Sequence, residues 1–557
     1  MSFGSTRVAV AVTTLALAPG PSRGDSYPRQ PGVDVVHYAF RLTLGDTSDA
    51  IEGETTVAFR VVQDGLATLT LDLVQPKPPA VERGMSVNGV SEAGRPLVFE
   101  HASDRLAIRL DPAGRAGEER RVSVSYRGVP ATGLLIATTR HGERSFFSDN
   151  WPIKARQWLP TLDHPSDKAT SEMIVTAPAH YQVVSNGLLV EENDTGDGRR
   201  VSHWRQSVPI ATWLNVLGVA RFAVEHRPAW RGIPIETWVY RQDRDKGFAA
   251  FAEPTAAVLD FLAERVGPYS YEKLGNVQAN GVRGGMESAT SIFYGDDSVD
   301  DPRSTRWRNV IVHEIAHQWF GNSVTESDWD DVWLSEGFAT YFTQLFVEHA
   351  YGRDEADAMR ATSRDAIREF DAKNPGYRIV HDNLSDMEQV LSGPGTYQKG
   401  AWTLHMLRGV VGDAAFWSGI QAYYRRHQNG NATTADFRRA MEQASGRELG
   451  WFFEQWLTRG GFLKLRARWS HDASAKQLRL DLEQLQAGTA FRVPIDVALA
   501  VEGEPRPRIE RLELGERRQT LRLPLDRRPK RVELDPRAFV LMDADVARAE
   551  GDREPNR

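Results

Sequence analysis

Apolar and polar positions alternate in short runs over residues 35–227. In the first run Tyr38, Phe40, Leu42 and Leu44 fall on one side and Ala39, Arg41 and Thr43 on the other; residues 54–62 and 67–73 repeat the pattern. A period of two belongs to a strand with one buried face. Clusters of Gly, Asp and Pro break the runs, which predicts an antiparallel β domain of sandwich type. Near Gly232 the pattern changes. Residues 234–240 read as one more strand, and residues 248–266 carry helical spacing that stops at Gly267 and Pro268. Residues 351–460 predict mostly helix, with a capped start at Thr433 to Phe437 and a stop at Gly446. Trp451, Phe452, Phe453, Trp456 and Leu457 form an aromatic closing helix. From Phe462 the period returns to two, predicting a second, smaller β-sandwich. The expected fold is therefore multidomain α+β. A β domain spans 25–230, beginning with a Pro- and Gly-rich linker over 25–32. A mixed helical domain spans 231–460 and a β-sandwich 461–545. A leader over 1–24 and a disordered charged tail over 546–557 flank them.

Within the helical region one spacing carries chemistry. His313 and His317 stand four apart, on one face of a helix. Glu314 lies about 100° round the same helix, where it reaches a water beside a bound cation without being a ligand itself. Two imidazoles make half of a tetrahedral zinc site, and a catalytic zinc takes a third protein ligand and keeps one position open. Glu336, nineteen residues past His317, sits where a helix end, a loop and an antiparallel second helix would return it. A solvated surface helix is the plainer reading, but Val310, Ile311, Ile315, Trp319 and Phe320 make this helix apolar over most of its girth. Buried histidines beside a buried glutamate need partners, and a zinc ion satisfies all of them.

Upstream, Gly284-Gly285-Met286-Glu287 precedes a strand-like run. Glycines there let a backbone approach a ligand, and an edge strand beside a metal can hold an extended peptide. Glu287 would then meet a free ammonium group. Downstream, Tyr397 opens a helix after Pro394 and Gly395, where its hydroxyl could donate to an oxyanion. The segment from Asp149 to Pro165 concentrates aromatic, Pro and acidic residues in a loop of the kind that lines sites. Asp163 and His164 within it read first as turn residues.

Composition narrows this little further. The 557 residues carry 75 acidic and 68 basic side chains, a net charge of −7 with both signs mixed throughout. No basic stripe of the nucleic-acid type is present, so no nucleic-acid partner is expected. There are no cysteines, which excludes disulfides and thiolate ligands and leaves His, Asp and Glu to hold a metal. Arg7 followed by the apolar run 8–18 fits a secretory signal, with cleavage near Ala18 or Gly24; the expected location is secreted or periplasmic, with the cytoplasm as the alternative. That run is too short to anchor a helix across a bilayer, and no stable membrane insertion of the mature chain is expected.

Taken together, His313-Glu314-x-x-His317 with Glu336, the Gly284-Gly285-Met286-Glu287 segment before it and Tyr397-x-Lys399-Gly400-Ala401 after it resemble the gluzincin aminopeptidase family of aminopeptidase N and leukotriene hydrolase. Asp163, Pro165, Lys168 and Ala169 resemble a segment of the family's N-terminal domain. The resemblance implies a β-saddle domain, a thermolysin-like catalytic domain and a C-terminal β-sandwich. It implies one Zn2+ held by His313, His317 and Glu336, Glu314 as general base, Tyr397 as oxyanion stabiliser, and Gly284 to Glu287 as the substrate-binding segment, with Glu287 taking the amino terminus of a peptide. Ser288, Ser335 and Trp151 depart from the family pattern, the last at a second amine-binding position, which leaves more of that recognition to Glu287. The alternatives are a zinc endopeptidase or epoxide hydrolase on the same scaffold, or a non-catalytic peptide-binding homologue.

Overall fold

The computed structural model describes residues 25–77, 83–382, 384–389 and 393–549. The apolar run 8–18 lies outside them. The architecture is mixed α+β: N-terminal sheets, a helical catalytic region and C-terminal sheets.

The N-terminal sheets follow the alternation. Tyr38, Phe40, Leu42 and Leu44 are buried and Arg41 exposed within or beside the strand Val33–Thr43. That strand lies in an eight-stranded sheet that is antiparallel except where it pairs in parallel with Lys168–Pro178. Two smaller sheets, of four and three strands, complete this region.

Three details bear on the expected division of the chain. The division at residue 230 falls inside a hairpin: Phe222–Trp230 pairs antiparallel with Ile233–Tyr240, and both belong to the five-stranded catalytic sheet. Alternation marks a strand but not the sheet it joins. The linker at 25–32 is a strap on the catalytic region. The Asp25 backbone N–H donates to Asp328 at 2.9 Å, its carboxylate accepts from the Trp329 N–H at 2.9 Å, and the Ser26 N–H donates to the Leu384 carbonyl at 2.8 Å. The C-terminal strand Met542–Arg548 runs past residue 545, pairing in parallel with Leu463–Trp469, so ordered structure continues into the expected tail.

Two helices carry the chemistry and three more position them: α1 (Arg244–Arg265), α2 (Thr305–His317), α3 (Trp333–Tyr351), α4 (Arg353–Lys373) and α5 (Lys399–Val411). Helix α2 is capped by Ser304, whose side chain accepts from the Trp307 N–H. Ile311, Ile315, Trp319 and Phe320 are each no more than 1% exposed, so the motif helix is buried on several sides. Further on, the capping box of Thr433 and Asp436 and the left-handed Gly446 (φ 64°) bound a helix as the pattern predicts. The C-terminal sheets, of four and three strands, pack on the helical region partly through Trp402, whose indole N–H donates to the Phe539 carbonyl at 3.2 Å. No helix among the described residues is long and apolar enough to cross a membrane.

Candidate active site

The last turn of α2 and the first turn of α3 face each other. His313 and His317 project from α2, and Glu336, 3% exposed, from the first turn of α3, where the helix N-terminus favours a carboxylate. The two Nε2 atoms are 3.0 Å apart, and Glu336 Oε2 lies 3.4 Å from His313 Nε2 and 3.2 Å from His317 Nε2. Donor atoms on a zinc tetrahedron with bonds near 2.0–2.1 Å stand about 3.3 Å from one another, so the three fit one such ion. Glu336 Oε2 is buried with no hydrogen-bond partner, an orphan that a metal would satisfy. This is the one group of three or more His, Asp or Glu among the described residues that could hold a metal ion. Outside the triad, His317 Nδ1 is 3.1 Å from both the Phe320 carbonyl and Ser335 Oγ, which orients the ring.

Residues 251–456 match the model of the peptidase family M1 domain, and residues 35–214 that of the peptidase M1 N-terminal domain. The chain belongs to peptidase family M1. Similar proteins are aminopeptidases. Glutamyl aminopeptidase of Bitis rhinoceros is 28% identical over 471 residues, 81% of this chain and 49% of that protein. Glutamyl aminopeptidase of Bos taurus is 31% identical over 347 residues, 60% of this chain and 36% of that one. A probable aminopeptidase 1 of Saccharolobus solfataricus is 24% identical over 449 residues, 78% of this chain and 56% of that one. The chain thus spans about half the length, or less, of the curated relatives it matches most strongly.

The M1 site opens into a cleft of about 680 Å³. The strand Gly285–Met286 forms one wall at the edge of the catalytic sheet, paired antiparallel with Ser291–Gly295. Gly285 is needed there: a Cβ would stand 2.2 Å from Glu314 Cγ and 2.3 Å from its Oε1. Gly284 is in the left-handed half of backbone space, φ 98°. Met286 is buried behind the wall. Glu287, 5% exposed, closes the metal end of the cleft, and its Oε1 has no hydrogen-bond partner. Tyr397 enters from the π-turn Pro394–Gln398 that leads into α5. Its ring stacks parallel to that of His313 at 6.1 Å. Gly337 of α3 and Gly400 of α5 allow this approach, since a Cβ on Gly337 would reach within 3.1 Å of the Gly400 backbone. All nine residues singled out from Gly284 to Tyr397 line this one cleft.

The electrostatics follow from packing several acids together out of water. Burial, with the neighbouring Glu287 charge, raises Glu314 well above the usual carboxylate range. Burial also pushes Glu287 up to about 7, against the opposing pull of His317. Burial would raise Glu336, but the attraction of His317 and His313, whose Nε2 atoms face its Oε2, outweighs it, and its carboxyl is held down. Burial alone would lower His317, but Glu287 and Glu336 lift it. Burial and the Glu336 and Glu287 charges keep the Tyr397 phenol protonated.

The sequence reading did not single out Gln318 and Asn322, which hold Glu287 in place, and it named Lys168 only as part of a resembling segment. Its backbone carbonyl accepts from Gln318 Nε2 at 3.0 Å and Asn322 Nδ2 at 2.6 Å. Lys168, from the N-terminal sheet, donates to the Asn322 and Ser323 carbonyls at 2.9 and 2.8 Å. The adjacency of Gln318 and Asn322 to His317 was the available signal; Lys168 is far away in sequence. The loop flagged upstream splits in two: Asp149, Trp151, Pro152 and Lys154 line the cleft, whereas Asp163 pairs with Arg156 at 2.9 Å and His164 with Asp25 at 3.1 Å, both buried away from it.

Proposed function

We propose that the protein is a zinc-dependent aminopeptidase that hydrolyses the N-terminal peptide bond of peptides. His313, His317 and Glu336 would hold the zinc. Membership of family M1 and the fit of these donors support the metallopeptidase part. The observation that carries the exopeptidase part is Glu287: a buried carboxylate with an unpartnered oxygen that lines the cleft close enough to His317 and Glu336 to feel their charges. An uncompensated buried carboxylate is costly, and the ammonium group of a peptide's first residue compensates it.

A zinc ion held by His313, His317 and Glu336 would supply the positive charge that makes water more acidic and polarises the scissile carbonyl. Glu314 accepts the proton of the attacking water on its carboxylate and returns it to the leaving nitrogen. Its raised affinity for a proton suits it as a base once the ammonium and metal charges are present. The Tyr397 hydroxyl, held protonated, donates to the carbonyl oxygen as negative charge develops on it. Glu287 sets the register, so one residue is removed per turnover. The edge strand Gly285–Met286 offers the backbone groups against which an extended substrate pairs.

The test is a pair of peptides of one sequence, one with a free amine and one N-acetylated, given to zinc-loaded protein. Selective cleavage of the free peptide is expected. Equal cleavage of both would replace this reading with an endopeptidase. A folded protein without zinc by elemental analysis, inactive on both, would make it a peptide-binding scaffold. The apolar run 8–18 behind Arg7 supports export to a secreted or periplasmic location; an intact N-terminus on protein recovered from its native cells would overturn that part.

A further inference from the structure

The cleft is lined by both acids and cations. Glu287, Glu314 and Glu336 crowd around the triad. Two cations line the same cleft, Lys154 and Arg283. Lys154 is already paired with Asp149 at 2.8 Å. Arg283 is exposed, and among the described residues no carboxylate lies within ion-pair distance of it.

Its place in the chain gives it direction. Arg283 stands four residues before Glu287, on the turn that feeds the edge strand Gly285–Met286. A peptide pairing antiparallel with that strand, its ammonium at Glu287, runs back past Gly285 and Gly284 toward Arg283. Four residues of chain span at most about 13 Å, which bounds the distance between the two backbones. The long side chain of Arg283 adds reach, so a carboxylate on the third residue of the substrate comes within its range. Guanidinium pairs with carboxylate in a fixed two-pronged geometry, which gives selectivity as well as attraction.

We propose that Arg283, exposed on the wall of the cleft, forms a carboxylate subsite, so that the enzyme favours substrates bearing a carboxylate at their third residue: the α-carboxylate of a tripeptide, or an acidic side chain at that position in a longer one. This rests on the aminopeptidase reading of the same cleft. Arg283 is here a specificity-determining residue for the outgoing part of the substrate, and it takes no part in the proton transfers.

The experiment compares Ala-Ala-Ala, its C-terminal amide and Ala-Ala-Glu-amide on the zinc-loaded full chain, with alanyl 4-nitroanilide as a substrate that lacks any carboxylate. The acid should exceed its amide about three- to tenfold in kcat/KM, mainly through KM, as expected for a partly exposed Arg–carboxylate pair. Arg283→Gln should bring that ratio close to one, and Arg283→Lys should keep part of it. Ala-Ala-Glu-amide recovering the rate of the acid assigns the subsite to a carboxylate from either source; a rate as slow as that of the plain amide assigns it to the chain terminus. Equal rates for acid and amide in the unaltered protein, or a ratio that survives Arg283→Gln, overturn the subsite while anilide hydrolysis leaves the aminopeptidase standing. No cleavage of anilide or peptides overturns both.

Discussion

The molecule buries carboxylates in two different ways. In the N-terminal sheets Asp163 is 1% exposed, and Arg156 answers it with its backbone N–H, its Nε at 2.9 Å and a further donor to the Asp163 carbonyl at 2.8 Å. In the cleft, Glu287 and Glu336 are as deeply buried, and like Asp163 each has an oxygen with no hydrogen-bond partner, but among the described residues no Arg or Lys lies within ion-pair distance of either. The first acid has a permanent counter-charge from the fold. The second pair has only the two histidines beside Glu336. Residue type and burial are the same, so what separates a structural acid from a functional one is whether the fold supplies the counter-charge.

Four substitutions break or sharpen this contrast. Glu314→Gln keeps the shape of the cleft but removes the base; kcat should fall about a thousandfold while zinc content by elemental analysis is unchanged. Arg156→Leu strips the counter-charge from buried Asp163, and chemical denaturation should record a loss of about 3–5 kcal/mol while the folded fraction keeps its metal. Equal damage to both properties in either variant would erase the distinction. Tyr397→Phe removes one donor from the developing charge; kcat should fall about a hundredfold with little change in KM.

The smallest expected effect concerns Glu326, which lies between the two cases. Both its oxygens are buried without partners, and burial pushes its carboxyl up to about 8. Between the ordinary value of 4.5 and about 8, the folded protein holds a proton that the unfolded chain has released. Stability therefore falls as pH rises through that window. Glu326→Gln should remove this part of the slope and stabilise the protein by ~2 kcal/mol near pH 8, with no gain near pH 4, as read from thermal unfolding across the range. An unchanged slope would mean that Glu326 stays charged, compensated by Lys168, the cation that acts on it from the N-terminal sheet.

The metal donors were legible in advance because they lie on one helix and the start of the next, where a spacing of four and a short return are enough to bring them together. Glu287 and Tyr397 were legible as motif residues, but their convergence depends on particular close approaches: Gly285 against Glu314, and Gly337 against Gly400. That the hairpin Phe222–Tyr240 crosses the expected division at residue 230 was hidden for a related reason. Phe222–Trp230 alternates like its predecessors, and nothing local distinguishes a strand of one sheet from a strand of the next.

Residue order alone was enough for the classes of structure and for the chemistry, because period two, period 3.6 and the ligand spacing are properties of neighbours in the chain. Only the folded molecule decided which acids are answered and which stand open, that Lys168 braces the turn behind Glu287 from the N-terminal sheet, and that Arg283 faces the cleft without a partner. Those facts join residues tens to hundreds of positions apart, and a pairing over that distance is set by how sheets and helices pack, which no local pattern records.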